Sequence, residues 1–262
     1  MIEYAVVCLV ALFVSGLTLF SGFGLGTLLM PAFALFFPVS TAIAATAVVH
    51  LGNNLFKLAL VGRKANWSVV VRFALPGAAA AMAGAALLNV FAGLPPLWSY
   101  QLGHHRHEIA AIELVIGALI VGFAILDLLP RFNKLSFNRR YLPLGGMLSG
   151  FFGGLSGLQG ALRSAFLIKA GLDKESFIGT GIVSAIIVDA ARLLVYGLSF
   201  YAGSVAHIAP GMRGLILVAT LAAFIGSFTG TWLMKKITLH AIQIIVGVML
   251  LVVGAGIAVG IF

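Results

Sequence analysis

Charge is scarce in this chain. Of its 262 residues only 9% are Asp, Glu, Lys or Arg, where a water-soluble domain carries about a quarter. That shortage excludes a folded body with a fully hydrated surface. Cysteine is scarcer still: Cys8 stands alone, so neither an internal disulfide nor a cysteine metal cage is available. No G-x-x-x-x-G-K-[ST] run occurs, and the longest polar-leaning stretch is 92–108. That argues against ATP-driven transport by this chain alone. Strand-like alternation is missing, and so is a basic, cleavable leader, so the first apolar run reads as a retained segment.

What the chain does have is 61% hydrophobic residues in long runs. Crossing hydrocarbon takes about 20 apolar residues per helix, and helices satisfy their own backbone there. The expected class is an all-α polytopic membrane protein. The net charge of +9 is no nucleic-acid signal, because Lys and Arg gather in short connections between spans, as membrane orientation requires.

An internal repeat underlies the pattern. Shifting the chain by 134 positions puts Ser15-Gly16 on Ser149-Gly150, Gly26 on Gly160, Thr46 on Thr180 and Pro76-Gly77 on Pro210-Gly211. The expected halves are 1–130 and 131–262. Each opens with a glycine-broken segment, 4–37 or 141–171. Spans follow at 42–61, 67–91 and 109–129, then at 176–200, 206–234 and 239–261. Charge decides how the broken segments run. Arg63-Lys64, the group Arg131, Lys134, Arg139 and Arg140, and Lys235-Lys236 all fall on the cytoplasmic side only if a broken segment returns to its starting face. Each half is then a re-entrant hairpin plus three transmembrane helices. An odd number of crossings inverts the second half and leaves both termini periplasmic. Inverted repeats with broken helices typify secondary transporters, whose sites lie near the midplane.

The stretch SGFFGGLSGLQGALRS, 149–164, holds five glycines and Arg163. At a hairpin tip the second arm begins with unpartnered N–H groups, which together with the helix dipole favour an anion. The expected tips lie near Gly26 and Gly160. Arg163 would add a planar charged fork. Tight helix packing is the competing use of these glycines.

The entry SGFGLGTLLMP (21–31), the Ala-Thr-Ala of 45–47 and the basic turn GRKANW (62–67), with weaker echoes in the second half, resemble the TauE/SafE sulfite-exporter family of bacterial membrane proteins over essentially the whole chain. The resemblance implies export of small sulfur oxyanions, sulfite or organosulfonates such as sulfoacetate, across the bacterial inner membrane. Arg163-Ser164-Ala165 stand where the first half has Leu29-Met30-Pro31, and the added arginine suits an anion.

Other polar residues complete the candidate set. A charge at a helix centre costs roughly 2.5–3.5 kcal/mol on insertion scales, so it should face a cavity or a partner. His50, Asn53, Asn54 and Lys57 step by three or four along one helix face and, with Gln159, join Arg163 as candidate substrate ligands. Asp189 and Arg192, three apart, are either a self-neutralising pair or a proton-coupling site. His104 to Glu108 reads as a solvated loop rather than a metal site. The expectation is a secondary transporter working by alternating access, without cofactor or metal and not an enzyme. A passive anion channel, uptake of the same anions, an intramembrane Ser156–His50 enzyme and a structural subunit are the alternatives. Expected partners are the bilayer, a small anion and a coupling proton or other ion, with a homodimer left open and no nucleic acid.

Overall fold

The computed structural model describes residues 1–21, 24–61, 64–103, 105–129, 136–201, 210–233 and 239–261. Arg63, Arg131, Lys134, Lys235 and Lys236, on which the orientation argument leans, lie outside them, as does His104.

Ten α-helices hold most of the described residues: α1 (Ile2–Ser21), α2 (Leu25–Ala34), α3 (Val39–Val61), α4 (Trp67–Ala92), α5 (Ala111–Leu128), α6 (Leu142–Ser156), α7 (Gly160–Leu167), α8 (Lys174–Tyr201), α9 (Pro210–Leu233) and α10 (Leu239–Ala258). Among the described residues, five are long and apolar enough to cross a membrane: α3, α4, α5, α8 and α9. The protein is an all-α polytopic membrane protein, and its spans fall within a few residues of the hydropathy limits.

Local chemistry sets the helix ends. Asn66 Oδ1 accepts from Val69 N at 3.2 Å and caps α4. Asp173 accepts from the backbone N–H of Glu175 and Ser176 at 3.0 and 2.9 Å ahead of α8. Glu113 takes the Ala110 N–H at 3.0 Å at the start of α5. Each accepts a donor that has no partner within its helix.

Both broken segments are two helices with a glycine turn between them. Gly24 before α2 has φ 125° and Gly157 after α6 has φ 82°, values that side chains with a Cβ avoid. The second segment folds back on itself. Ser149 Oγ donates to Gln159 O at 2.9 Å, a Cβ on Gly145 would collide with the Phe166 ring, and Phe166 stacks on Phe137 with centroids 4.2 Å apart. A straight helix would separate residues 145 and 166 by about 31 Å. In the first segment α1 and α2 also pack on each other. Ser15 and Thr18 of α1 meet Asn53 and Lys57 of α3 in the same chain order, so α1 runs in the same direction as α3. Gly26 of α2 then lies beside His50, and α2 climbs back toward the start of α3. All ten residues of α2 are buried, which its uniformly apolar sequence permits. The two turns touch: a Cβ on Gly26 would lie 3.0 Å from Gly157 O.

The remaining glycines of 149–164 explain how the long arm seats. A Cβ on Gly150 would overlap Gly77 O of α4, one on Gly154 would overlap Ala81 O, and one on Gly84 would overlap Phe151 O. Backbones this close are the small-residue packing of membrane helices. In the other broken segment α1 packs in the same manner on α9, where a Cβ on Gly226 would overlap Leu12 O. The 134-residue offset interchanges these two helix pairs.

One expectation is corrected. Residues around 104–108 do not form a loop: Trp98–Leu102 (β1) and His105–Ile109 (β2) pair as an antiparallel hairpin, with Gly103 at φ 62° in its turn. Tyr100 stacks on His107 and donates its hydroxyl to Val259 O at 2.7 Å. His107 Nδ1 donates to Gly260 O at 3.0 Å. The hairpin is stapled over the end of α10, and that partner lies about 150 residues away in the chain.

Candidate functional site

Where the two turns meet, charged side chains from three helices are buried together. Asp189 and Arg192 of α8 are both 0% exposed. Arg192 donates to Asp189 Oδ1 through Nε at 3.0 Å and Nη2 at 2.7 Å, and its Nη1 donates to Gly153 O at 2.9 Å. Their spacing of one helical turn makes this pairing local to α8. The rest is tertiary. Gln159, at the entry to α7, donates Nε2 to Asp189 Oδ1 at 2.8 Å. His50 Nδ1 stands 2.6 Å from Asp189 Oδ2. An ionised carboxylate only accepts, so that nitrogen bears the hydrogen. Asn54 Nδ2 donates to the same oxygen at 3.4 Å. Tyr196 donates its hydroxyl to Gly154 O. Asp189 is thus a hub tying the turn after α6 to α3 and α8. Each donor to it offsets part of the cost of removing a charge from water.

Beside the hub lies a cavity of about 30 Å³, room for roughly two waters or one small group. Lys57, Arg163, His50 and Asn54 line its polar side with Thr18 and Ser164. Leu25, Leu167, Phe177, Ile178 and Ile182 form the apolar side. Among the described residues no carboxylate lines the cavity. Arg163 is 5% exposed and donates Nη1 to Gln159 Oε1 at 3.4 Å. Lys57 is 5% exposed and donates to Thr18 Oγ1 at 3.2 Å. The cavity sits toward the face of the α3–α4 connection, because Lys57 is near the end of α3 and Phe177 near the start of α8. Two buried cations facing one small space make a site for negative charge.

The sequence candidates therefore separate. His50, Asn54, Lys57 and Arg163 converge on the cavity. Gln159, Asp189 and Arg192 stand behind it. Gly26 and the buried Gly160 belong to the turns, and of the two arm starts it is that of α2, through Gly24 and Leu25, that lines the space. Asn53 points elsewhere: its Oδ1 meets Ser15 Oγ at 3.0 Å and Ser227 Oγ at 2.8 Å in a buried cluster of α1, α3 and α9. Ser156 Oγ donates to Phe152 O at 2.9 Å and makes no contact with His50. Thr18 and Ser164 were not singled out in the sequence. Their only signal was adjacency, Thr18 to the first glycine break and Ser164 to Arg163.

The chain matches the family model Sulfite exporter TauE/SafE over residues 4–257. It belongs to the TauE/SafE family. That family comprises membrane transporters of sulfite and related sulfur anions, and a small cavity lined by two buried cations is in keeping with it. No curated protein matches the chain.

Proposed function

We propose that this TauE/SafE protein exports small sulfur-containing anions by alternating access, with the anion held in the cavity between Lys57 and Arg163. The observation that carries the reading is the pairing of two buried cations with no carboxylate in the cavity wall. The apolar wall of Leu25, Phe177 and Ile178 favours an anion with a short carbon body, an organosulfonate, over sulfate. The two halves act as inverted repeats, with residues 1–130 and 131–262 each supplying one turn. Support comes from the exchange of helix partners under the 134-residue offset. With the basic connections cytoplasmic and the termini periplasmic, the cavity faces the cytoplasm, the side from which an exporter loads.

The test is a thermal-shift screen of the purified protein against sulfite, sulfate, thiosulfate, methanesulfonate and sulfoacetate, repeated with Arg163→Ala. At least one sulfur anion should raise the melting midpoint by mass action on the folded state. In Arg163→Ala the affinity should fall on the order of tenfold to a hundredfold, the loss of a charge-assisted bond worth about 1.5–3 kcal/mol. Equal binding to both proteins would remove Arg163 from the site. A flat screen would remove the reading itself.

A further inference from the structure

Lys57 is the odd charge in this site. It is 5% exposed, and its ammonium has three N–H donors, of which one is placed on Thr18 Oγ1. The Thr18 hydroxyl hydrogen is itself directed to Ser15 O at 3.3 Å. Among the described residues Lys57 enters no ion pair. Asp189, the carboxylate of the hub beside the cavity, is occupied by Arg192, His50, Gln159 and Asn54. Among the described residues no anionic group lines the cavity beside Lys57: Arg163 of α7 is a second cation in the same wall, Thr18, Asn54 and Ser164 are its neutral polar members, and α2 and α8 offer only glycine and apolar side chains. On its own helix, His50 lies two turns away with its hydrogen committed to Asp189. A buried ammonium beside another cation is held only when an anion is there to meet it, and lysine, unlike arginine, readily gives up its proton when desolvated.

We infer that Lys57 is a proton-carrying site, protonated while an anion fills the cavity and neutral when it is empty, so that one proton travels with each monovalent anion in the same direction. The inference rests on the anion reading of the cavity. When the anion departs, one N–H bond of the ammonium breaks heterolytically. The electron pair stays on Nζ and the proton passes to water in the opened cavity. Loading on the other face reverses this, with Nζ taking a proton from water as the anion enters. The linkage is reciprocal: anion binding favours the proton and the proton favours the anion. Transport of a monovalent sulfonate is then electrically neutral, and outflow follows the anion gradient and the pH gradient together, without regard to the membrane potential.

The test uses the full chain in liposomes loaded with a pH-reporting dye, with methanesulfonate and 2-hydroxyethanesulfonate as probes. Both are anions of strong acids, so neither carries a titrating proton of its own. Radiolabelled anion flux and dye response together give protons moved per anion. The wild type should give a ratio near one, insensitive to an imposed potassium diffusion potential. Lys57→Arg retains the cation without a removable proton, and its ratio should fall about tenfold or more. His50→Gln, although it slows the flux because His50 lines the cavity, should keep the wild-type number of protons per anion. A wild-type ratio near zero, with anion still moving, overturns the inference and leaves the transport reading standing. A ratio lost in His50→Gln also overturns it, by moving the proton to the histidine. If neither sulfonate moves, both fall together. Should Lys57→Arg prove inert, the wild-type and His50→Gln ratios still decide.

Discussion

Replacing Asp189 with asparagine changes one oxygen to nitrogen and leaves the volume of the hub intact, yet it should be among the most damaging substitutions in the chain. Arg192 would remain 0% exposed with its two contacts to Oδ1, at 3.0 and 2.7 Å, no longer made to a charge. Removing one partner of a buried pair costs about 3–5 kcal/mol, chiefly because the other charge is left uncompensated. For a chain of this size each kcal/mol moves the melting midpoint by roughly 2–4 °C, so a fall of about 6–20 °C is expected in detergent. The companion double variant, Asp189→Leu with Arg192→Met, removes both charges. It should recover only part of the lost stability: the desolvation cost of the pair is avoided, but Gln159, His50 and Asn54 keep buried donors without their acceptor. It should recover none of the anion binding, since Gln159, His50 and Asn54 lose the acceptor that positions them. Differential scanning fluorimetry reads the stability, and the sulfonate-induced shift reads the site. A midpoint for Asp189→Asn within about 2 °C of the wild type would refute the hub as the anchor of this region.

Three further outcomes follow from the packing and the ends of the helices. Gly150→Ala places a methyl against Gly77 O and should lower stability by about 1–3 kcal/mol through overpacking, whereas Gly197→Ala, with no atom near the added methyl, should change little; comparing the two melting midpoints checks this. Asp173 lies outside the spans, and its bonds to Ser176 hold its pKa below the ordinary 3.8. The stability it contributes is therefore present above the unfolded value and lost as pH falls through the lower folded one. The melting difference between wild type and Asp173→Ala should be constant near neutrality and vanish in acid. In a Cys8→Ser background, Asn138→Cys and Lys174→Cys flank the hairpin of α6 and α7 and should react with an impermeant thiol reagent from the same side of the membrane; labelling from opposite sides would be incompatible with the fold-back of Phe166 onto Gly145.

Much of the architecture was legible in the residues, because hydrocarbon punishes every alternative. Apolar length marked the spans of α3, α4, α5 and α8, and clustered glycine marked both turns. A charge within a span signalled Arg163, Lys57, Asp189 and Arg192. The pairing of Asp189 with Arg192 was also legible, since three residues make one turn of helix. The β-hairpin at 98–109 was not, because its staple to Val259 and Gly260 joins distant parts of the chain.

Sequence periodicity placed His50, Asn53, Asn54 and Lys57 on one broad polar face, but neighbouring residues of a helix point about 100° apart. Which neighbour each would meet depended on α1, α8 and α9, brought alongside from up to 174 positions away. Tertiary structure sent Asn53 to Ser15 and Ser227 and turned Asn54 and Lys57 toward the cavity. It likewise assigned the glycines of 149–164 individually, Gly150 and Gly154 to contact with α4 and Gly157 to the turn. Composition determines that a chain must bury its polar groups inside a membrane. Only the packing of distant helices determines what they are buried against.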